Sequence, residues 1–367
     1  MKAIQRLKAG AVIAGLWLAA GAAFADCNIN AGSMKMVRTQ PLLGGNLTVG
    51  RDVPLGAEIY RQTFTPVSGL IVGCTGGNYN IEARRSLSST PLPLANWTGT
   101  PYGGKVYETG VKGIGVVLWY AGTALPYSRF LTNCSGGPGP CNWNLTNTSL
   151  LFDLSFIKIG EVSAGTIQGA SLPTMVQSFI TTNTVEFQQV NYSGNINIVS
   201  RTCSTPDVTV PMGTHLTNAF SGKNTFTPWK DFSIALNNCP AFNGYYQDTG
   251  PRWLSDGTSN NLESRKNNTL RVRVDPTVAA INPAQGIFKL NASAVGDAPS
   301  ATGVGVQIAD SHGTPLPLAT LRASGISPRA EEGASYAIPL KARYIQTEDS
   351  VSAGPANATA TFTIDYY

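Results

Sequence analysis

Hydrophobic and polar residues alternate strictly at the end of the chain. Ala358, Ala360, Phe362, Ile364 and Tyr366 fall on one side, and Thr359, Thr361, Thr363, Asp365 and Tyr367 on the other. A two-residue period predicts a β-strand with one buried face. Such a strand either lies inside the fold or offers its unpaired N–H and C=O groups to another polypeptide. Elsewhere the β-branched and aromatic runs are short and separated by Gly, Pro and Asn. They include 115–120, 150–157, 232–236, 270–274 and 287–290. Strands at this spacing, with turn signals between them, predict β-sandwiches. No extended amphipathic helix is evident, so the fold class expected is all-β.

The start of the chain follows a different pattern. A basic segment, residues 1–8, precedes the uncharged run 9–25, which ends in Ala23-Phe24-Ala25. This reads as a secretory signal peptide, residues 1–25, cleaved after Ala25 or, as second choice, after Ala23. No later stretch is long and apolar enough to span a bilayer, so an exported, soluble mature chain is expected. Its roughly 340 residues exceed one ordinary core and predict two domains, 26–196 and 197–367. No long linker separates them, and no internal repeat or low-complexity segment is present.

Charge narrows the function classes. The whole sequence carries +5, but removing Lys2, Arg6 and Lys8 leaves 23 basic residues against 21 acidic ones, a net +2. With no basic run beyond Arg84-Arg85, nucleic-acid binding has little electrostatic support. Six cysteines in an exported chain predict disulfides. Of 15 possible pairings, spacing and domain membership favour Cys27–Cys74, Cys134–Cys141 and Cys203–Cys239. No CxxC occurs, and His215 and His312 lack partners at ligand spacing, so no metal or cofactor is expected.

The second half carries a dense set of motifs. Arg201-Thr-Cys203-Ser-Thr-Pro-Asp-Val-Thr-Val-Pro211 is followed by Asp231-Phe-Ser-Ile-Ala-Leu-Asn-Asn-Cys239. Gly303-Val-Gly-Val-Gln-Ile308 then leads to Asp310, Gly313 and Thr314-Pro-Leu-Pro-Leu318. Tyr344, Gly354 and the penultimate Tyr366 complete the set. In order and content this resembles the pilin domain of chaperone–usher fimbriae. The resemblance implies an incomplete immunoglobulin-like sandwich lacking its last strand. Its open groove would be filled first by a periplasmic chaperone and then, at the outer-membrane usher, by a strand from the next subunit, an adaptor or shaft pilin. Gly354, Ala358, Ala360, Phe362, Ile364, Tyr366 and Tyr367 would form that chaperone and donor-strand interface, with the Tyr367 carboxylate as an anchor for chaperone basic residues.

Cys27 follows the preferred cleavage site by one residue, which leaves no room for a donor arm. A subunit that accepts a strand but donates none belongs at the fibre end. The chain therefore resembles a two-domain tip adhesin of type 1-like fimbriae, exported through the periplasm to the cell surface. Tyr107-Glu-Thr-Gly-Val-Lys-Gly-Ile-Gly-Val116 and Phe156-Ile-Lys-Ile-Gly-Glu-Val-Ser-Ala-Gly-Thr166 resemble segments of fimbrial adhesin domains. The first domain is accordingly expected to be lectin-like and to bind a host or surface glycan, or a protein receptor.

Sugar recognition uses planar hydrogen-bonding groups beside an aromatic face. The candidates are Asp26 at the mature terminus, Asn78 and Tyr79 after Cys74, and Asn133, Asn142, Trp143 and Asn144 around the Cys134–Cys141 loop. That loop could equally serve only to stabilise a hairpin. Trp119 and Tyr120 lie in an apolar strand, and at least one is expected in the core. Trp97 and Tyr102, in a Pro/Gly-rich stretch, are expected to be surface aromatics. No GxSxG, HExxH, P-loop or dinucleotide glycine pattern appears, so an enzyme is not expected. The acids Asp52, Glu58, Glu82, Glu108, Asp153 and Glu161 leave a glycosidase pair open, but nothing singles one out. The competing reading is a structural tip or initiator subunit without a defined sugar site.

Overall fold

The computed structural model describes residues 26–75, 80–132 and 140–367; the expected signal peptide lies outside them. Its elements are almost all β-strands. The predicted runs emerge as the strands Ile114–Tyr120, Phe152–Lys158, Lys230–Cys239, Leu270–Pro276 and Ile287–Lys289. Asn147–Leu150 departs from this pattern and forms one helical turn ahead of the Phe152–Lys158 strand.

Two cores organise the chain. The first is built largely from two sheets. One runs in the order Tyr127–Thr132, Asn80–Ser89, Thr174–Ile180, Thr184–Ser193, Met36–Pro41. The other contains Glu58–Thr65, Phe152–Lys158, Ile114–Tyr120 and Tyr107–Glu108. Tyr60, Phe64, Phe152, Leu154, Phe156, Met175 and Val190 fill the space, each fully buried. A three-stranded sheet, Asp26–Ile29, Leu70–Thr75 and Cys141–Leu145, closes one side.

The second core lies between a five-stranded sheet, built around Lys230–Cys239, Ala334–Gln346 and Val304–Asp310, and a three-stranded one. The latter runs Arg322–Ala323, Leu270–Pro276, Ala360–Tyr366. Leu236, Val272, Val306, Ile338, Ile364 and Tyr366 are buried there. Cys27–Cys74 and Cys203–Cys239 are disulfide-bonded, one per core. Cys141 is also disulfide-bonded, while its expected partner Cys134 lies outside the described residues.

The chain does not pass cleanly from one core to the other. Asn195–Val199 runs through the expected boundary at 196/197 and pairs with Gly165–Gln168 and Asn46–Thr48 of the first half. Further on, a segment of the second half returns to the first core. Arg252–Leu254 adds as a parallel strand to Glu58–Thr65. Its Trp253 packs 5.8 Å from the Phe64 ring, and Tyr246 stands edge-on to Tyr60 at 5.9 Å. Arg265 completes the strap by donating to the carbonyls of Gly44 and Asn46. Local sequence could not show this, because Tyr246 and Trp253 satisfy a core that is distant along the chain.

Candidate functional site

The terminal strand Ala360–Tyr366 has a neighbour on one side only. It pairs antiparallel with Leu270–Pro276, from Leu270↔Tyr366 to Pro276↔Ala360. Tyr367 and Thr269 exchange both backbone hydrogen bonds. Antiparallel ladders alternate bonded and non-bonded pairs. The backbone groups of Asp365, Thr363 and Thr361 therefore point into the ladder, and those of Tyr366, Ile364, Phe362 and Ala360 point to the free edge. At Tyr366 both free-edge groups are taken: its N–H donates to the Asp52 carboxylate (3.0 Å) and its carbonyl accepts from Asp52 N–H (3.3 Å). Those of Ile364, Phe362 and Ala360 find no backbone partner among the described residues.

The side chains of this edge are incompletely covered. Ile364 and Tyr366 are buried, whereas Ala358, Ala360 and Phe362 are half-buried against the same core. Ser204 forms a bridge to Asn237, after which the chain runs through 205–212 without joining a sheet. There Val208, Val210 and Met212 are half-buried and Asp207, Thr209 and Pro211 exposed. Val208 and Met212 rest on the second core as well. The arrangement is a sandwich with one strand edge and part of its apolar interior uncovered.

Each residue of the terminal motif has a physical role. Tyr366 stacks on Phe242 at 6.4 Å, and its hydroxyl accepts the Cys203 N–H at 3.0 Å. Burial raises its pKa, with the Cys203 bond acting in the opposite direction. Tyr344 donates to the Ala356 carbonyl at 2.7 Å. Gly354 passes so close to Pro299 and Ala301 that a Cβ there would lie 2.6 Å from the Ala301 nitrogen. The outward set expected on the strand is corrected at one position: Asp365 is buried and paired with Arg271. The first half, through Asp52, covers this end of the strand. Burial raises the Asp365 pKa while Arg271 opposes the shift.

The described ligand candidates of the first half fall on one small sheet. Cys27, Cys74 and Cys141 align across the three-stranded sheet, so Asp26 and the 141–144 residues share it. Asp26, Asn142 and Asn144 are exposed on its outer face. Trp143 alternates to the inner face, edge-on to Phe179 at 6.0 Å, where its buried indole nitrogen has no partner. It is thus part of the core edge and not a platform on that loop. Asn78, Tyr79 and Asn133 lie outside the described residues. Asn28 is exposed opposite Gly73, and the Asn30 amide donates to Asn142 at 2.8 Å. Asn183 grips the backbone of Cys27 through both its amide groups. Only the two-residue period of Cys27-Asn28-Ile29-Asn30 could have signalled Asn28 and Asn30 in advance.

The second half thus combines a terminal strand paired on one side only with a disulfide-pinned β-sandwich. Residues 181–367, about half of the sequence, match the family described as Fimbrial protein, and the chain belongs to that family. It is 29% identical over 185 residues to a type-1 fimbrial protein subunit of Serratia marcescens, covering 48% of this chain and 85% of that one. Among solved structures it is similar to the CupB6 tip adhesin from Pseudomonas aeruginosa, with 13% identity, coverage of 93% and 94% and a TM-score of 0.31. It is also similar to the receptor-binding domain of a plasmid-borne adhesin of Klebsiella pneumoniae, with 20% identity, coverage of 49% and 98% and a TM-score of 0.32.

Proposed function

We propose that this fimbrial protein is a tip adhesin. Its second half accepts a strand from a periplasmic chaperone and then, at the outer-membrane usher, from the next pilus subunit. Its first half attaches the fibre to a surface glycan. The division falls near 196/197, with the 245–266 segment serving as a strap back to the first half. One observation carries the reading: the free-edge backbone groups of Ala360, Phe362 and Ile364 lie beside half-buried Ala358, Ala360 and Phe362. An incoming strand would satisfy both, since unpaired edges and exposed core are aggregation hazards until covered. Asp26–Ile29 is held in its own sheet by Cys74 and Asn183, so this segment is not itself free to serve as a donor strand.

The test is to express the full chain in a pilus-producing host and locate it on isolated fibres by immunogold. Labelling at fibre ends is expected, with Phe362→Lys abolishing incorporation and Thr361→Lys, on the exposed face, preserving it. Labelling along the whole shaft would overturn the tip position. Incorporation that survives Phe362→Lys would overturn the strand-acceptor reading.

A further inference from the structure

The outer face of the sheet that receives the strap carries a row of side chains drawn from both halves of the chain. Arg252 lies opposite Thr63, Thr63 opposite Asp153, and Asp153 opposite Trp119. Residues opposite one another in a sheet project to the same side. In the neighbouring row Arg61 lies opposite Ser155. One end of this face is rigid. Tyr102 stacks on Trp119 with ring centroids 6.1 Å apart, and the Arg61 guanidinium lies 4.7 Å from the Trp119 ring. The Trp119 indole donates to the Ser155 hydroxyl at 2.9 Å, which in turn donates to Glu58, the ion-pair partner of Arg61 at 3.1 Å.

The other end is uncommitted. One oxygen of Asp153 accepts the Thr63 hydroxyl, and the second takes no hydrogen bond from a described residue. Arg252 is exposed and makes neither ion pair nor side-chain hydrogen bond among the described residues. Tyr102 is half-buried, its hydroxyl takes part in no hydrogen bond with a described residue, and its backbone is held at φ +62°. A non-glycine residue in that conformation carries strain, which clusters at ligand clamps. Strands are spaced about 4.8 Å apart, so the Asp153 and Arg252 backbones stand about 10 Å apart, room for one sugar ring between their side chains.

We propose that this row is a binding site for a neutral saccharide. The Tyr102 ring, backed by Trp119, lies against the apolar face of a pyranose. The free Asp153 oxygen accepts from sugar hydroxyls and Arg252 donates to them. The inference rests on the adhesin reading and adds to it the place and the ligand class. Glu58 and Asp153 balance Arg61 and Arg252 in charge, so the face offers no net attraction to an acidic glycan. Desolvation of the Asp153 carboxylate strengthens the bonds it makes, and the pre-stacked aromatic pair lowers the ordering cost of binding. Because Arg252 belongs to the strap, the site is complete only when both halves are assembled.

The purified full chain is screened on an array of neutral hexose- and N-acetylhexosamine-terminated glycans printed beside sialylated and sulfated ones. Binding to neutral glycans is expected, falling about tenfold or more on Asp153→Asn and on Arg252→Ala, the scale of losing one hydrogen bond to a charged group. Near-ultraviolet circular dichroism checks that both variants fold. Binding lost on Asn142→Ala but retained in the Asp153 and Arg252 variants would move the site to the three-stranded sheet and overturn the inference, leaving the adhesin reading intact. Binding confined to acidic glycans would overturn the ligand class. Silence on every glycan, from a chain that still reaches fibre ends, would overturn both this site and the glycan reading.

Discussion

Asp153 shows how one side chain ties stability to pH. Burial raises its carboxyl pKa above the ordinary value, while the Thr63 hydroxyl and Arg61 oppose the shift and Glu58 adds to it. Between about pH 3.9 and the raised folded value, the unfolded chain is ionised at this residue while the folded protein still holds the proton. The folded state then binds more protons, so this contribution to stability is greatest below that window and declines as pH rises through the folded value. Asp153→Asn is expected to remove this declining contribution, so that the variant gains stability relative to the wild type as pH rises through the window, read as urea midpoints at successive pH values. An unchanged profile would show that the burial carries no proton linkage. Asp365, also raised by burial, has the same sign, so part of the decline remains in the Asp153 variant. At this scale residue type was legible in sequence and orientation was not. Asn142 and Trp143 are neighbours in one strand, yet one faces solvent and the other Phe179, because a strand alternates its faces.

At the scale of elements, the terminal strand is the decisive one. Its two-residue period specifies a strand, but the hydrogen-bonding direction of each residue depends on its partner, Leu270–Pro276. That direction yields an amide-by-amide expectation for hydrogen exchange. In the free chain the amides of Thr361, Thr363 and Asp365 are protected by the ladder, and Tyr366 by Asp52, whereas Ala360, Phe362 and Ile364 exchange quickly. When a complementary strand is bound, the second set becomes protected too. Uniform protection along 360–366 in the free chain would show that the edge is already covered. The 36-residue separation of Cys203 and Cys239 adds an unfolded-state constraint worth about 4 kcal/mol in the chain-entropy model, which pins the start of the 205–212 segment beside this edge.

The whole molecule behaves as two cores joined by a strap. Trp253 belongs to the second half by sequence and to the first core by packing, 7% exposed beside Phe64. Trp253→Ala is expected to destabilise the first core by about 3–5 kcal/mol, read as the denaturant midpoint of that half. A fragment of residues 26–196 would lack Trp253, Tyr246 and Arg265 and would expose the sheet edge that Arg252–Leu254 covers. It is expected to be less stable than the same half in the full chain and prone to aggregate. A fragment as stable as the first half of the intact protein would show the strap to be an ornament on an autonomous domain. The Asp52–Tyr366 contact ties the same half to the end of the terminal strand, so the free edge and the first core share a boundary residue.

By itself the sequence determined the all-β class, the alternating terminal strand, the disulfides Cys27–Cys74 and Cys203–Cys239, and the likeness to fimbrial subunits. These are properties of local period, turn chemistry and motif order. Tertiary structure alone decided which backbone groups are left free, that Asp365 is buried, and that Arg252 stands in register with Thr63, Asp153 and Trp119. Those are facts of pairing between distant segments. A strand specifies its faces through its own residues, but its edges and neighbours are specified only by what the rest of the chain brings beside it.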